Sequence, residues 1–338
     1  MRVAVVGAGS MGGMHAALLA ELPEVDELLV VDTDATRATE VAARTGGRVA
    51  AGLDEAIETA EALVVATPPH LHAEAVIPAL ERGRSVLCEK PLSEDLAETV
   101  RLAGLAGHLE VGFQRRHDPS FVAARETARG TPIRLVRMSA FDPRVADRPA
   151  AAWPAGEAAP LFLHSSIHDF DALRWLTGQE VMAVTADGSR RDEPRPPDPR
   201  ALESATVLMR LSGGTLATLD ASWLHPGGYD VRVELLTDTG HLTAGLSART
   251  PAHHLDWIAR DESERPAAWS GYLDRFETAY RAELVAFLAA ARGEHEPATS
   301  GRDGVEAMRV AVAATRSYLE RRTVALDEIG PARAAEVA

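Results

Sequence analysis

Two hydrophobic rhythms divide the chain. Through residue 112, short uninterrupted apolar runs alternate with amphipathic stretches. Val3–Val6, Leu28–Val31, Ala62–Ala66, Ser85–Cys88 and Leu109–Gly112 read as buried strands. Between them, Ser10–Leu22, Ala35–Thr45, His72–Glu81 and Leu96–Leu105 carry the three-to-four-residue apolar spacing of helices. Strands apolar on both faces and separated by helices predict a parallel sheet covered on each side. After about Asp118 the rhythm changes. Ile133–Phe141, Val181–Asp187, Ala205–Leu211, Thr215–Ala221, Tyr229–Leu236 and Gly240–Leu246 follow one another as strands, with turns at Gly213–Gly214 and Asp238–Gly240. One helix, Ser166–Leu176, stands among them, and two more, near Phe276–Ala291 and Asp303–Arg321, close the chain. The expected architecture is α/β: a Rossmann domain over residues 1–118, then an α/β domain with a large open, mainly antiparallel sheet over residues 119–338. The proline-rich run Arg190–Arg200 reads as an exposed loop.

The first rhythm carries nucleotide chemistry. Gly7, Gly9 and Gly12 complete a G-x-G-x-x-G with Ser10 and Met11 between, directly after a strand and at the start of a helix. That context turns a weak pattern into a dinucleotide site: the glycines permit the tight turn, the close approach of pyrophosphate and the helix–strand packing. The helix N-terminus then offers free N–H groups to the phosphates. Asp32 ends the second strand, where a carboxylate accepts from an adenosine ribose diol and repels a 2′-phosphate, favouring NAD over NADP. Asp32 could equally cap the next helix. Glu89-Lys90-Pro91 follows the fourth predicted strand, on the carboxyl edge where such sheets bind ligands. Of 35 basic residues, Lys90 is the only lysine. A compact ammonium at that edge suits a developing alkoxide; the plainer reading is a surface lysine paired with Glu89.

In the second region, His164 and His168 stand four residues apart where a helix begins, followed by Asp169 and Asp171. His168 suits a general base for a hydroxyl proton, with Asp169 or Asp171 to orient an imidazole or favour the helix N-terminus. A zinc pair and plain packing are the competing readings. A zinc site needs at least three protein ligands, and no third is near in sequence, so no metal is expected.

The order of G-A-G-S-M-G, A-T-P-P-H-L-H-A, C-E-K-P-L and I-H-D-F-D-A-L-R-W-L-T-G resembles the glucose–fructose oxidoreductase/inositol dehydrogenase family along nearly the whole chain. The resemblance implies NAD-dependent oxidation of a secondary hydroxyl of an inositol, sugar or related cyclitol. Lys90 and His168 would be catalytic, with His164 beside them. Thr67, Pro68, His72, Glu89 and Lys90 would line the cofactor together with the glycine loop and Asp32. Arg115, in Gly112-Phe113-Gln114-Arg115-Arg116, would bind substrate with His164 and Asp169; otherwise that segment is a solvated charged turn. The resemblance also implies a homodimer or homotetramer through the second domain's sheet. His164 departs from the family, whose inositol dehydrogenases usually carry aspartate there, and this leaves the substrate more open than the reaction. Two other readings keep the same fold: an epimerase or eliminase that cycles a retained NAD, and a non-catalytic nucleotide sensor. Trp153 is a candidate cover for the cofactor.

Composition narrows the partners. A formal net charge of −15 with no basic stripe disfavours nucleic acid and anionic membrane surfaces. No stretch approaches the ~18 apolar residues of a membrane helix, and the N-terminus reads as a buried strand, so no signal peptide is expected. Cys88 is the only cysteine, which rules out an internal disulfide and suits the cytoplasm.

Overall fold

A computed structural model describes residues 1–143, 157–190, 199–251 and 266–330. The chain forms two compact units: Met1–His117 with Thr278–Glu306, and Asp118–Glu277 with the segment that begins at Ala307.

In the first unit, β1 (Arg2–Val6), β2 (Glu27–Val31), β3 (Arg48–Val49), β4 (Ala62–Val65), β5 (Ser85–Cys88) and β6 (Leu109–Val111) make a parallel sheet in the order β3-β2-β1-β4-β5-β6. Its helices are α1 (Ser10–Ala20), α2 (Ala35–Thr45), α3 (Leu53–Thr59), α4 (His72–Glu81) and α5 (Leu96–Ala103). Val3, Ala4, Val5, Leu63, Val64 and Val65 are wholly buried, as expected for strands covered on both faces. The apolar rhythm does not announce β3 or α3, because both residues of β3 are exposed and α3 is short. The order reverses at β1, which lies between β2 and β4; this is the switch point where such sheets receive ligands. The outer edge, β6, is covered by the chain near residue 299. Thr299 Oγ1 accepts from the Val111 N–H at 3.0 Å and donates to the Val111 carbonyl at 2.9 Å.

The second unit holds α6 (Pro119–Ala128), α7 (Ile167–Thr177) and a seven-stranded sheet. Its strands are β7 (Ile133–Pro143), β8 (Val181–Ser189), β9 (Ser204–Leu211), β10 (Leu216–His225), β11 (Asp230–Thr237), β12 (His241–Ala244) and β13 (Val324–Ala325), in the order β12-β11-β7-β10-β9-β8-β13. β7 and β10 pair in parallel and the other neighbours are antiparallel. Register aligns Ala186, Val207, Leu219, Met138 and Val233 into one buried row. α6 was not expected from the apolar rhythm, although Asp118 caps it and Pro119 opens it. The last helices, α8 (Tyr272–Ala291) and α9 (Gly301–Glu320), each run from one unit into the other. Among the described residues no helix is long and apolar enough to cross a membrane. Trp153 lies outside the described residues, as does the middle of the Arg190–Arg200 run.

Candidate active site

The glycine loop follows β1. Gly7 has φ +97°, and a Cβ there would sit 2.7 Å from the Ala66 carbonyl oxygen. A Cβ at Gly12 would collide with the Gly7 carbonyl, so loop and helix pack only without it. Gly9 differs: nothing lies within 4 Å of its missing Cβ, and it stands at the N-cap of α1 with no side-chain cap. The loop therefore leaves open space in front of helical N–H groups, a cradle suited to a pyrophosphate. Ser10 and Met11 open that helix.

Asp32 directly follows β2 and reaches back to the loop. Its Oδ2 accepts from the Ala8 N–H at 2.6 Å and its Oδ1 from the Asp34 N–H at 2.8 Å. The helix cap is Asp34, which accepts from the Thr36 and Arg37 N–H groups. This corrects the capping alternative for Asp32: the cap of α2 is a different aspartate. Arg37 is held by Asp34 at 3.0 Å. Each Asp32 oxygen keeps a lone pair for a ribose hydroxyl.

After β4, Thr67 and Pro68 form the expected turn. His72 is buried at the start of α4, its Nε2 2.9 Å from the Thr67 carbonyl and its Nδ1 3.3 Å from the Leu92 carbonyl. Burial lowers its pKa, against the opposing pull of those carbonyls and Glu89. A neutral ring donates through one nitrogen, and the shorter contact is to Thr67. Thr67 Oγ1 is buried with no hydrogen-bond partner among the described residues, a donor and acceptor left for a ligand.

After β5, Glu89 is buried at 7% exposure. Its Oε1 lies 2.8 Å from His15 Nε2, and its Oε2 accepts the Lys90 backbone N–H at 3.2 Å. Burial raises its pKa, but the His15 hydrogen bond, with the charges of His15 and Lys90, outweighs it and holds the carboxyl below the usual range. Lys90 is partly exposed, at the carboxyl end of the sheet, with a cis peptide to Pro91. The Glu89 carboxylate also has a second partner, the buried His15 on α1.

Past β6, residues Gln114–His117 make a 3₁₀ turn. Arg115 is 2% exposed. Arg116 bonds the Ala298 carbonyl at 3.0 Å and Asp303 at 2.8 Å. The alternative of a solvated charged turn therefore fails, since both guanidiniums lie inside. Arg116 secures the segment that covers β6.

In the second unit, Leu161–Ser166 is a π-helical turn that leads into α7. His164 belongs to the π turn and His168 to the first turn of α7, so α-helical spacing does not describe the pair. π turns recur at functional sites. His168 is 8% exposed, and Asp169 and Asp171 are fully buried. Ser165 Oγ donates to Asp142 Oδ2 at 2.7 Å, tying the π turn to the end of β7. Beside it, His225 stacks on Phe141 at 5.4 Å and bonds the Gly228 carbonyl through Nδ1 at 2.7 Å. Among the described residues no group of three His, Cys, Asp or Glu is placed to hold a metal.

The first unit thus brings the glycine loop, Asp32, Thr67, Glu89 and Lys90 to one sheet edge, while His164, His168 and Asp169 belong to the second. Sequence reasoning passed over His15, Asp142 and Ser165. His15 sits inside an apolar helix, where a histidine reads as packing.

Residues 1–117 match the model of an oxidoreductase family with an NAD-binding Rossmann fold, and residues 132–326 match that family's C-terminal α/β domain. The chain belongs to this oxidoreductase family. It is 38% identical over 331 residues to the myo-inositol dehydrogenase Hyg17 of Streptomyces leeuwenhoekii, covering 94% of this chain and 97% of that one. It is 30% identical to an inositol 2-dehydrogenase of Rhizobium meliloti, over 96% and 99% of the two chains. The solved structure of a myo-inositol dehydrogenase from Corynebacterium glutamicum matches with a TM-score of 0.79 at 27% identity, over 96% and 98%. The family confirms the Rossmann-plus-α/β architecture and the oxidoreductase class expected from the motifs.

Proposed function

We propose that this oxidoreductase oxidises a secondary hydroxyl of an inositol or closely related cyclitol with NAD. The observation that carries the reading is the position of the only lysine, directly after β5 and on the sheet edge that carries the glycine loop and Asp32. Similarity to inositol dehydrogenases along the whole chain supports the substrate class.

NAD, when bound, supplies the hydride acceptor. Gly7, Gly9, Ser10, Met11 and Gly12 would hold its pyrophosphate and Asp32 its adenosine ribose. Thr67, Pro68, His72 and the Glu89–Lys90 segment would line the remainder. Lys90 donates a hydrogen bond to the reacting oxygen and stabilises the negative charge that grows there. His168 takes the hydroxyl proton, a task for a neutral imidazole. His164, Arg115 and Asp169 hold other hydroxyls. His164, able to donate as well as accept, favours a cyclitol whose substituents differ from those an aspartate would bind.

Two further assignments belong to this reading. Met182, Leu208 and Leu236 are exposed on the seven-stranded sheet, and this supports a homodimer or homotetramer built through that face. The single buried cysteine supports a cytoplasmic setting.

The test is NADH formation at 340 nm with NAD or NADP and a panel of inositols, sugars and amino sugars. A signal with NAD on one or a few cyclic polyols is expected. Silence across the panel, with NAD shown to bind, would overturn the reading in favour of a retained-cofactor cycle or a sensor.

A further inference from the structure

His15 is fully buried on α1, the helix whose N-terminus forms the phosphate cradle. Its ring meets Tyr280 edge-on at 5.9 Å and 87°, and its Nε2 is 2.8 Å from Glu89 Oε1. The other carboxylate oxygen is confined as well: it accepts the Lys90 N–H, and a Cβ on Gly112 would come within 3.2 Å of it. Both oxygens of Glu89 are therefore fixed from three sides, one residue before the lysine. A buried carboxylate with no work to do is costly to keep.

We propose that His15 and Glu89 are positioning residues for Lys90: through this pair the helix of the pyrophosphate loop fixes a carboxylate that holds the Lys90 backbone N–H and sets an opposite charge one residue from its amine. This deepens the dehydrogenase reading and rests on it for the role of Lys90. The titratable groups facing Glu89 are His15 on α1, Lys90 next along the chain, His72 on α4 and Cys88 at the end of β5. Of these only Lys90 carries an amine. The Cys88 thiol is pushed well up by burial and by Glu89's charge, and so stays protonated.

The single lysine makes the idea directly measurable. Trace acetylation with acetic anhydride across pH, read by mass on the peptide carrying Lys90, reports that amine in the full-length protein without substrate or turnover. An adjacent opposite charge is worth about one to three pH units. Glu89→Gln should therefore lower the labelling midpoint by about one unit or more. Glu89→Asp, which keeps the charge, should restore most of it. His15→Phe, which keeps the ring beside Tyr280 but removes the donor, should shift the midpoint the same way by less. In turnover, the high-pH limb of the Glu89→Gln rate profile should move down with the labelling midpoint. A midpoint unchanged in both Glu89→Gln and His15→Phe overturns the proposal, whatever happens to the rate. His15→Phe decides alone if Glu89→Gln does not fold. Because acetylation needs no substrate, failure here leaves the dehydrogenase reading standing, and silence on the polyol panel leaves this result standing.

Discussion

The two sheets solve opposite problems. The six-stranded sheet buries both faces of its central strands, so side chains there cannot meet a ligand, and its chemistry is displaced to the loops at the strand ends. Gly9, Asp32, Thr67 and Lys90 all stand just after a strand. The seven-stranded sheet alternates, with Val207 and Met209 inside and Thr206, Leu208 and Arg210 outside on β9. Its candidate chemistry is on a π turn and helix beside the sheet, and its exposed side is free for contact with another surface. A doubly covered sheet thus confines function to an edge, whereas a half-covered one leaves a whole face to be used.

Mutations can break this contrast, starting with the largest effect. Lys90→Ala should reduce kcat by about three orders of magnitude or more, near 4 kcal/mol of transition-state stabilisation, with NAD affinity within about tenfold. Steady-state kinetics and NAD titration separate the two; near-full activity would sink the mechanism. Leu63→Ala, in the doubly buried β4, should cost about 3 kcal/mol in denaturant unfolding.

A pH effect follows in the same unit. Burial lowers His117 from 6.5 to about 4, against Glu110 and aided by Arg116 and His295. The unfolded chain then takes the proton first. Stability should be full above pH 6.5 and fall by at most about 3 kcal/mol as pH drops toward 4. His117→Asn should flatten that slope; an equally steep slope in the variant would assign it to other groups.

Asp32→Ala should weaken NAD by about ten- to a hundredfold and narrow its advantage over NADP, checked by titration with both cofactors. The smallest effect is expected on the half-covered sheet. Leu208→Ala, at a side chain 45% exposed, should change protomer unfolding by no more than about 0.5 kcal/mol. A loss like that of Leu63→Ala would show that this face is buried in the working assembly.

Much of the parallel sheet was readable because its strands are continuous apolar runs between glycines, and the glycine loop, Asp32 and Lys90 stand at their ends. The alternating strands of the second sheet were equally plain from Ile133 to Leu246. What escaped has physical reasons. β3 is two exposed residues, and α3 is only seven residues long. α6 has a clear Asp118 cap and Pro119 start but no strong apolar stripe. The π turn at Leu161–Ser166 differs from an α turn by one hydrogen-bond step, which residue types do not encode. The Asp34 N–H on Asp32 and the His15–Glu89 bond join residues 2 and 74 positions apart, and no periodicity reports them.

The hydrogen bonds between Thr299 and Val111 have a consequence for how the protein is made. They join residues 188 positions apart. At roughly 5–20 residues per second, a ribosome needs roughly 10–40 seconds to deliver the second after the first. Through that interval β6 is an uncovered strand edge on a nascent chain, open to pairing with a neighbour on the same messenger. An isolated fragment ending at residue 117 would keep that edge permanently. The nucleotide-binding unit is therefore a module in shape but not in sequence: Met1–His117 is completed by Thr278–Glu306.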